Sequence, residues 1–261
     1  TKVPKLQKDI EAGKYLYLDL VETNEDTLPD HDRQINMDLM RTFPTVEYFI
    51  KGQPGHQELY RVLRAYAFYD TNIGYVQGMN FVAAALLWHT SEFAAFWLFV
   101  SLLEDFSLRE IYLPDLPGLS KHCQIIDLLI FQHLPTIYRH FCEHHIKVEM
   151  FATDWIFSLF GTIIPVECLG EFYDRFFVEG WSFFYQMVLS ILKHSEARLL
   201  EQGEQFNILV PLKDEEEIRS NWKEMTGFFP FLPKKLQEKI PWERLIQTAQ
   251  FDIDDNYIGH L

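Results

Sequence analysis

The sequence predicts an all-α protein, and three features of the chain support that prediction. Apolar side chains recur at intervals of three and four residues, as on one face of a helix, and no convincing run alternates as a half-buried strand would. Serine, proline and glycine stand where helices would begin or end. Of the 261 residues, 48% are hydrophobic and 23 are Phe, enough to fill a large core. We therefore predict one compact helical unit with two lobes.

The predicted helices follow one another closely along the chain. An apolar stripe covers residues 57–70, and turn residues follow it up to Gly74. The next helix is predicted over about residues 75–88, and Ser91 is placed to cap the helix over 93–105, which is apolar nearly all round. Further helices are predicted over 122–134, 135–145, 153–164, 165–180 and 182–200, with short ones among the four prolines between 211 and 241.

The composition excludes several classes of function. A formal net charge of −15 argues against nucleic-acid binding and against direct docking on anionic lipid. The most apolar run, residues 81–88, is far shorter than the ~20 residues of a transmembrane helix. The 3 cysteines are widely spaced and odd in number, which indicates a reducing compartment and no disulfide framework. We expect a cytoplasmic protein with no transmembrane segment.

One segment, residues 22–44, does not fit a plain helical bundle. Its acidic first part is predicted to be a solvated loop, and the stretch INMDLMR is predicted to form about two helical turns with Ile35 buried. Because Pro44 disfavours helical geometry at Phe43, this helix should end close to Arg41, with Asp38 on the same face. Arg41 could then reach a partner's phosphate, or it could form an ordinary surface ion pair with Asp38.

The stretch YVQGMN, residues 75–80, places polar side chains and a glycine where a helix is predicted to begin. Gln77 and Asn80 could be hydrogen-bonded at an exposed helix rim, with Gly78 allowing close packing, or Gln77 could act on a molecule outside the protein. Arg64, on the preceding helix, could brace Asp38 or steer an acidic partner, although exposed arginines are common on helices.

The stretch RHFCEHH could contribute to a metal site, because His140 and His144 share a helical face at i,i+4 spacing. A third ligand on a matching partner segment is not evident, so we predict no metal site and interpret the stretch as a solvated helix end.

Two short patterns in this helical chain resemble the motifs of one family. Ile35, Asp38 and Arg41 match I-x-x-D-x-x-R, and Tyr75 and Gln77 match Y-x-Q. Flanking stretches fall in the family's order: RTFP, LRAYAFYDTNIGYVQGMNF and EFYDRFFVEG. The chain resembles a TBC domain, the catalytic module of Rab GTPase-activating proteins, most clearly over residues 34–200.

The resemblance implies an all-helical, V-shaped fold and a function carried out on another protein. The partner is expected to be a Rab-family small GTPase in its GTP-bound form, which brings GTP and magnesium, so this domain needs no cofactor of its own. Arg41 is implied as an arginine finger and Gln77 as a glutamine finger. Supporting or partner-contacting roles fall to Ile35, Asp38, Arg64, Tyr75, Gly78 and Asn80. A non-catalytic Rab-binding scaffold is the alternative. Recruitment to vesicle or organelle membranes would occur through the Rab or through flanking regions.

The chain departs from the family pattern in two places. The family's first helix carries R-x-x-x-W, which is absent from the first thirty residues, and the family's W-D pair is Tyr173-Asp174 here. The chain also begins at Thr1 without an initiator Met or an apolar signal core. We expect residues 1–261 to be a TBC domain excised from a longer protein and lacking the first family helix. Its N-terminal lobe would carry the catalytic motifs, and the other lobe would begin near mid-chain.

Overall fold

The computed structural model describes residues 3–22, 29–201 and 208–226. Every regular element within these ranges is a helix, which confirms the predicted all-α class. The α-helices are α1 (Val3–Glu22), α2 (Pro29–Leu39), α3 (Pro54–Tyr69), α4 (Met79–His89), α5 (Glu92–Glu104), α6 (Arg109–Tyr112), α7 (Pro117–His133), α8 (Pro135–Glu143), α9 (Glu149–Ser158), α10 (Val166–Glu179), α11 (Trp181–His194), α12 (Glu196–Glu201) and α13 (Glu215–Thr226). Single 3₁₀ turns lie at Glu47–Phe49 and Val210–Lys213.

The chain divides into two compact units. The first comprises Thr1–Asp115 together with Phe157–Gly161, and the second comprises Leu116–Ile156 and Thr162–Leu261. All the candidate site residues predicted from the sequence therefore belong to the first unit. None of the helices in the described ranges is long and apolar enough to span a membrane.

Helix α3 forms the centre of the first unit, because its apolar stripe is buried as predicted. Pro54 opens the helix, where a missing backbone N–H has no intrahelical partner to lose. Leu59, Val62 and Leu63 are at most 1% exposed. Helices α1, α2, α4 and α5 all pack against α3. Two of them, α2 and α4, flank the segments that carry Arg41 and Gln77, so α3 fixes both segments relative to one core.

Several predicted helix boundaries are wrong for identifiable reasons. Helix α2 begins at Pro29, within the stretch predicted to be a loop, because acidic residues in a first turn favour a helix N-terminus. Helix α9 begins at Glu149 and ends at Ser158, where Leu159 and Phe160 adopt left-handed backbone angles. Ser91 occupies the N-cap position of α5, but its hydroxyl does not bond a helix N–H. The prolines at 230, 233 and 241 lie outside the described residues.

Candidate functional site

Arg41 follows the end of α2 and is exposed to solvent. Ile35, whose burial was predicted, and Leu39 anchor α2 in the core with exposed fractions of 0% and 2%. The helix cannot continue through Phe43, which has a φ of +43° and precedes Pro44. The Arg41 side chain is 50% exposed, and its Nε and Nη2 atoms lie 2.9 and 2.7 Å from Asp38 Oδ1. Nη1 of Arg41 forms no hydrogen bond or ion pair with any other described residue.

Asp38 pairs with Arg41 but is buried, so their contact is not the ordinary surface ion pair that the sequence left open as an alternative. Only 4% of Asp38 is exposed, and its Oδ2 accepts a hydrogen bond of 2.6 Å from the Tyr75 hydroxyl. Burial raises the pKa of Tyr75, and the hydrogen bond to the Asp38 carboxylate raises it further, so Tyr75 stays a neutral donor. Asp38 thereby joins the arginine of the first motif to the tyrosine of the second.

Gln77 lies in an irregular loop before α4, and its side chain is exposed. The predicted helix start at Tyr75 is wrong, because α4 begins at Met79. Gly78 has a φ of +106°, a left-handed angle that interrupts helical geometry and favours glycine. No hydrogen bond of the Gln77 amide is recorded among the described residues, so its donor and acceptor face solvent.

The backbone of Phe157 supports the Gln77 loop. A Cβ atom added at Gly78 would lie 2.7 Å from the Phe157 carbonyl oxygen, a separation that real Cβ atoms do not tolerate. That carbonyl oxygen accepts a hydrogen bond of 2.7 Å from the Tyr112 hydroxyl. Gly78 therefore has a packing role, in agreement with its predicted function in close approach, and its backbone fixes the residue next to Gln77.

A second polar connection joins the two motif segments. Asn80 is fully buried; its Nδ2 donates to Thr42 Oγ1 at 2.8 Å, and its Oδ1 accepts from the Gly78 backbone N–H at 3.0 Å. The Thr42 hydroxyl in turn donates to the Asp38 carbonyl oxygen at 2.7 Å. Asn80 thus braces the Gln77 loop and is not at an exposed helix rim.

Sequence reasoning missed Thr42 and His31. Thr42 follows Arg41 directly within the quoted stretch RTFP, so its position beside Arg41 could have drawn attention to it. The His31 ring lies so close to Gly74 that a Cβ atom there would be 2.3 Å away, and His31 Nδ1 accepts a 3.4 Å hydrogen bond from Tyr75 N–H. No local pattern pointed to His31.

Arg64, which the sequence suggested could brace Asp38 or steer an acidic partner, forms an ion pair with Asp32. Its side chain is 15% exposed, its Nε lies 3.2 Å from Asp32 Oδ1, and its guanidinium lies 4.8 Å from the centre of the Phe68 ring. Asp32 also accepts a hydrogen bond from the Tyr60 hydroxyl. Arg64 therefore supports the site only indirectly, because it fastens α2 to α3 ahead of the motif.

One buried hydrogen-bond network supports two exposed groups, the Arg41 guanidinium and the Gln77 amide. The network consists of hydrogen bonds that link Asp38, Tyr75, Thr42 and Asn80. These bonds fix the segments carrying Arg41 and Gln77 before any partner binds. Such an arrangement can stabilise developing negative charge and orient a polar molecule on a surface placed against it.

Comparison with known proteins adds the family context. The Rab-GTPase-TBC domain family model matches residues 3–200. The chain is 32% identical over 170 residues to "Rab GTPase-activating protein eat-17" of Caenorhabditis elegans, a match covering 65% of this chain and 19% of that protein. It is 34% identical over 184 residues to "GTPase-activating protein GYP5" of Saccharomyces cerevisiae, covering 70% and 20%. The chain thus spans about a fifth of the length of these two relatives.

Solved structures agree with this result. The Chlamydomonas flagellar RabGAP TBC domain superposes with a TM-score of 0.71 at 27% identity, covering 83% of this chain and 70% of that one. The Ypt/Rab-GAP domain of Gyp1p superposes with a TM-score of 0.74 at 17% identity, covering 88% and 83%, which shows a shared fold alone.

Proposed function

The chain belongs to the Rab-GTPase-TBC domain family, and on that basis we propose that it stimulates GTP hydrolysis by a Rab-type small GTPase in its GTP-bound form. The observation that carries the proposal is the pair of exposed side chains, Arg41 and Gln77, held by one buried polar network. The partner binds GTP and magnesium, and this domain supplies the Arg41 and Gln77 side chains.

Arg41 neutralises the negative charge that develops on the nucleotide during hydrolysis. Phosphoryl transfer builds negative charge on the phosphoryl oxygens, and a guanidinium supplied in trans neutralises it with a planar fork of donors that stays protonated. In the free domain the Asp38 carboxylate orients this guanidinium through Nε and Nη2. The side chain is therefore constrained at its base and still exposed, so less ordering entropy is lost when the partner binds.

Gln77 places the attacking water. A side-chain amide can accept a hydrogen bond from the water and donate one to the phosphoryl oxygen, which aligns the nucleophile for in-line attack. The loop that carries Gln77 is fixed on one side by the close approach of Gly78 to Phe157 and on the other by Asn80. A fixed backbone limits the positions that the amide can reach, which is the requirement for positioning a water molecule.

Hydrolysis measured with a panel of GTP-loaded Rab proteins tests the proposal. We expect at least one Rab to release phosphate faster when the domain is present in less than stoichiometric amounts, because a catalyst acting in trans turns over. Binding to a GTP-loaded Rab without faster hydrolysis would instead identify a non-catalytic scaffold. A complete lack of binding and of stimulation would contradict the proposal. Recruitment to vesicle or organelle membranes would then follow from the Rab that responds.

Two exposed methionines beside the finger would contact the same partner. Met37 and Met40 are 56% and 60% exposed, although they alternate with buried residues of the α2 segment. Met37 lies one helical turn before Arg41, so a GTPase surface that receives the Arg41 side chain must lie against this end of the segment. Methionine is unbranched and polarizable, which suits it to an adaptable apolar contact.

Replacing both methionines with glutamine should weaken binding without changing chemistry. We expect the domain concentration at half-maximal stimulation to rise about tenfold or more, equivalent to about 1.4 kcal/mol of lost binding free energy. The maximal rate at saturation should be retained, because Arg41 and Gln77 are unchanged. Met150→Gln, which alters a methionine of the second unit that is 50% exposed, is the matched control. A reduced maximal rate at an unchanged half-maximal concentration would contradict this contact.

A further inference from the structure

The end of α8 brings three metal-binding side chains together in the second unit. Donor atoms of His140, Glu143 and His144 all lie within 4.8 Å of one another. The two imidazole rings share one helical face, with centroids 4.5 Å apart. The sequence predicted no metal site because a third ligand on another segment was not evident. The structure places that third donor, the Glu143 carboxylate, on the same helical turn.

His140 is the strongest indication that this cluster binds a ligand. Its Nε2 atom is buried and has no hydrogen-bond partner among the described residues. An unpaired buried polar atom costs about 1–3 kcal/mol, so such atoms are uncommon unless a water molecule or an ion completes them. A cation coordinated at Nε2 would remove that cost.

The position on the helix also favours a cation. Glu143 is the last residue of α8, and His144 follows it as the C-cap residue. Carbonyl groups at a helix C-terminus carry partial negative charge, which stabilises a nearby positive charge. The Glu143 carboxylate lies beside the two imidazoles and favours a cation at the same position.

We propose that His140, Glu143 and His144 bind a zinc ion, a site unrelated to the proposed action of Arg41 and Gln77. Two imidazoles and one carboxylate suit Zn²⁺, whereas Mg²⁺ and Ca²⁺ prefer oxygen ligands. Three protein ligands leave the fourth tetrahedral position to water. Ligand atoms around zinc lie about 3.3 Å apart, so the three donors must approach by small side-chain rotations. The ion would fasten the end of α8 to the residue that follows it.

Metal titration of the purified protein tests this proposal. We expect one equivalent of Co²⁺, used as a spectroscopic substitute, to give the visible absorption of a tetrahedral site, and Zn²⁺ to displace it. The variant carrying His140→Gln and His144→Gln should bind Zn²⁺ more weakly by at least about tenfold, since loss of even an outer-shell partner costs that much. Glu143→Gln should weaken binding in the same direction.

Two neighbouring substitutions serve as matched controls. His145→Gln removes an adjacent histidine and Cys142→Ser removes an exposed thiol, and neither should change the affinity for Zn²⁺. Zinc should also raise the Tm of the original protein relative to a chelator, but not that of the double variant, whose metal-free Tm should be unchanged. A thiolate-to-cobalt absorption band would overturn the assignment of Glu143. Absence of one-equivalent binding, or equal affinity in the double variant, would overturn the site.

Discussion

Replacing Arg41 with lysine is expected to remove ~10³-fold or more of the stimulated hydrolysis rate, the lower end of what arginine fingers contribute. An ammonium keeps the positive charge but cannot reproduce the planar fork of donors that meets several phosphoryl oxygens at once. Lysine also keeps a cation beside the buried Asp38 carboxylate, so the folded state should be retained. Single-turnover phosphate release at saturating domain concentration measures this effect.

The Arg41→Ala variant should lose the same stimulated hydrolysis and should also have a lower free energy of unfolding. The sequence predicts little change in stability, because Arg41 is expected at the surface. The structure changes that expectation: Asp38 is buried, and truncation of Arg41 removes the cation from its carboxylate. We expect a loss of about 1–3 kcal/mol in the free energy of unfolding. Urea unfolding of the alanine and lysine variants separates this structural effect from the catalytic one.

Arg33→Ala provides the matched control for charge. It removes one exposed arginine from the same helix, α2, and should change the maximal rate little, because Arg33 is not part of the motif. A lysine variant at position 41 within a few-fold of the original maximal rate would refute the finger assignment. An Arg33 variant as defective as the Arg41 variants would instead indicate a general requirement for positive charge on α2.

The helical class and most helices could be predicted, because apolar periodicity is a local property of the chain. The stripe of α3 is buried as its spacing indicates, and Gly180, with a φ of +62°, separates α10 from α11 where the predicted helix ends. Local signals failed where backbone conformation depends on contacts. Tyr75 and Val76 continue the apolar pattern of α4, yet Gly78 interrupts the helix, and Phe157, far along the chain, is what it packs against.

The two exposed residues of the site could be identified by motif, but their supports could not. Asp38 and Tyr75 are 37 positions apart, and Thr42 and Asn80 are 38 apart, so neither hydrogen bond leaves a local signature. The same limit explains Arg64, whose sequence position near the motif suggested Asp38 as its partner although the fold supplies Asp32. Burial of a polar residue is likewise a tertiary property, which is why the sequence left open an ordinary surface ion pair between Asp38 and Arg41.

Gln77→Ala tests, with a large expected effect, whether this domain supplies the glutamine that positions the attacking water. If Gln77 positions the water, its removal should reduce stimulated hydrolysis by orders of magnitude, comparable with loss of the arginine. Stability should hardly change, because the side chain is exposed and the loop is fixed by Gly78 and Asn80. Gln57→Ala, an exposed glutamine on α3, is the matched control and should retain full activity.

The most direct measurement pairs this domain with a responsive Rab whose own switch glutamine is changed to alanine. Single-turnover phosphate release is recorded for the four combinations of original and altered Rab with original and Gln77→Ala domain. The proposal predicts that the altered Rab keeps a large part of its stimulated rate with the original domain, and that Gln77→Ala abolishes stimulation of both Rab forms. Retained stimulation of the unaltered Rab by Gln77→Ala, together with lost stimulation of the altered Rab, would contradict the proposal and leave Gln77 with a structural role.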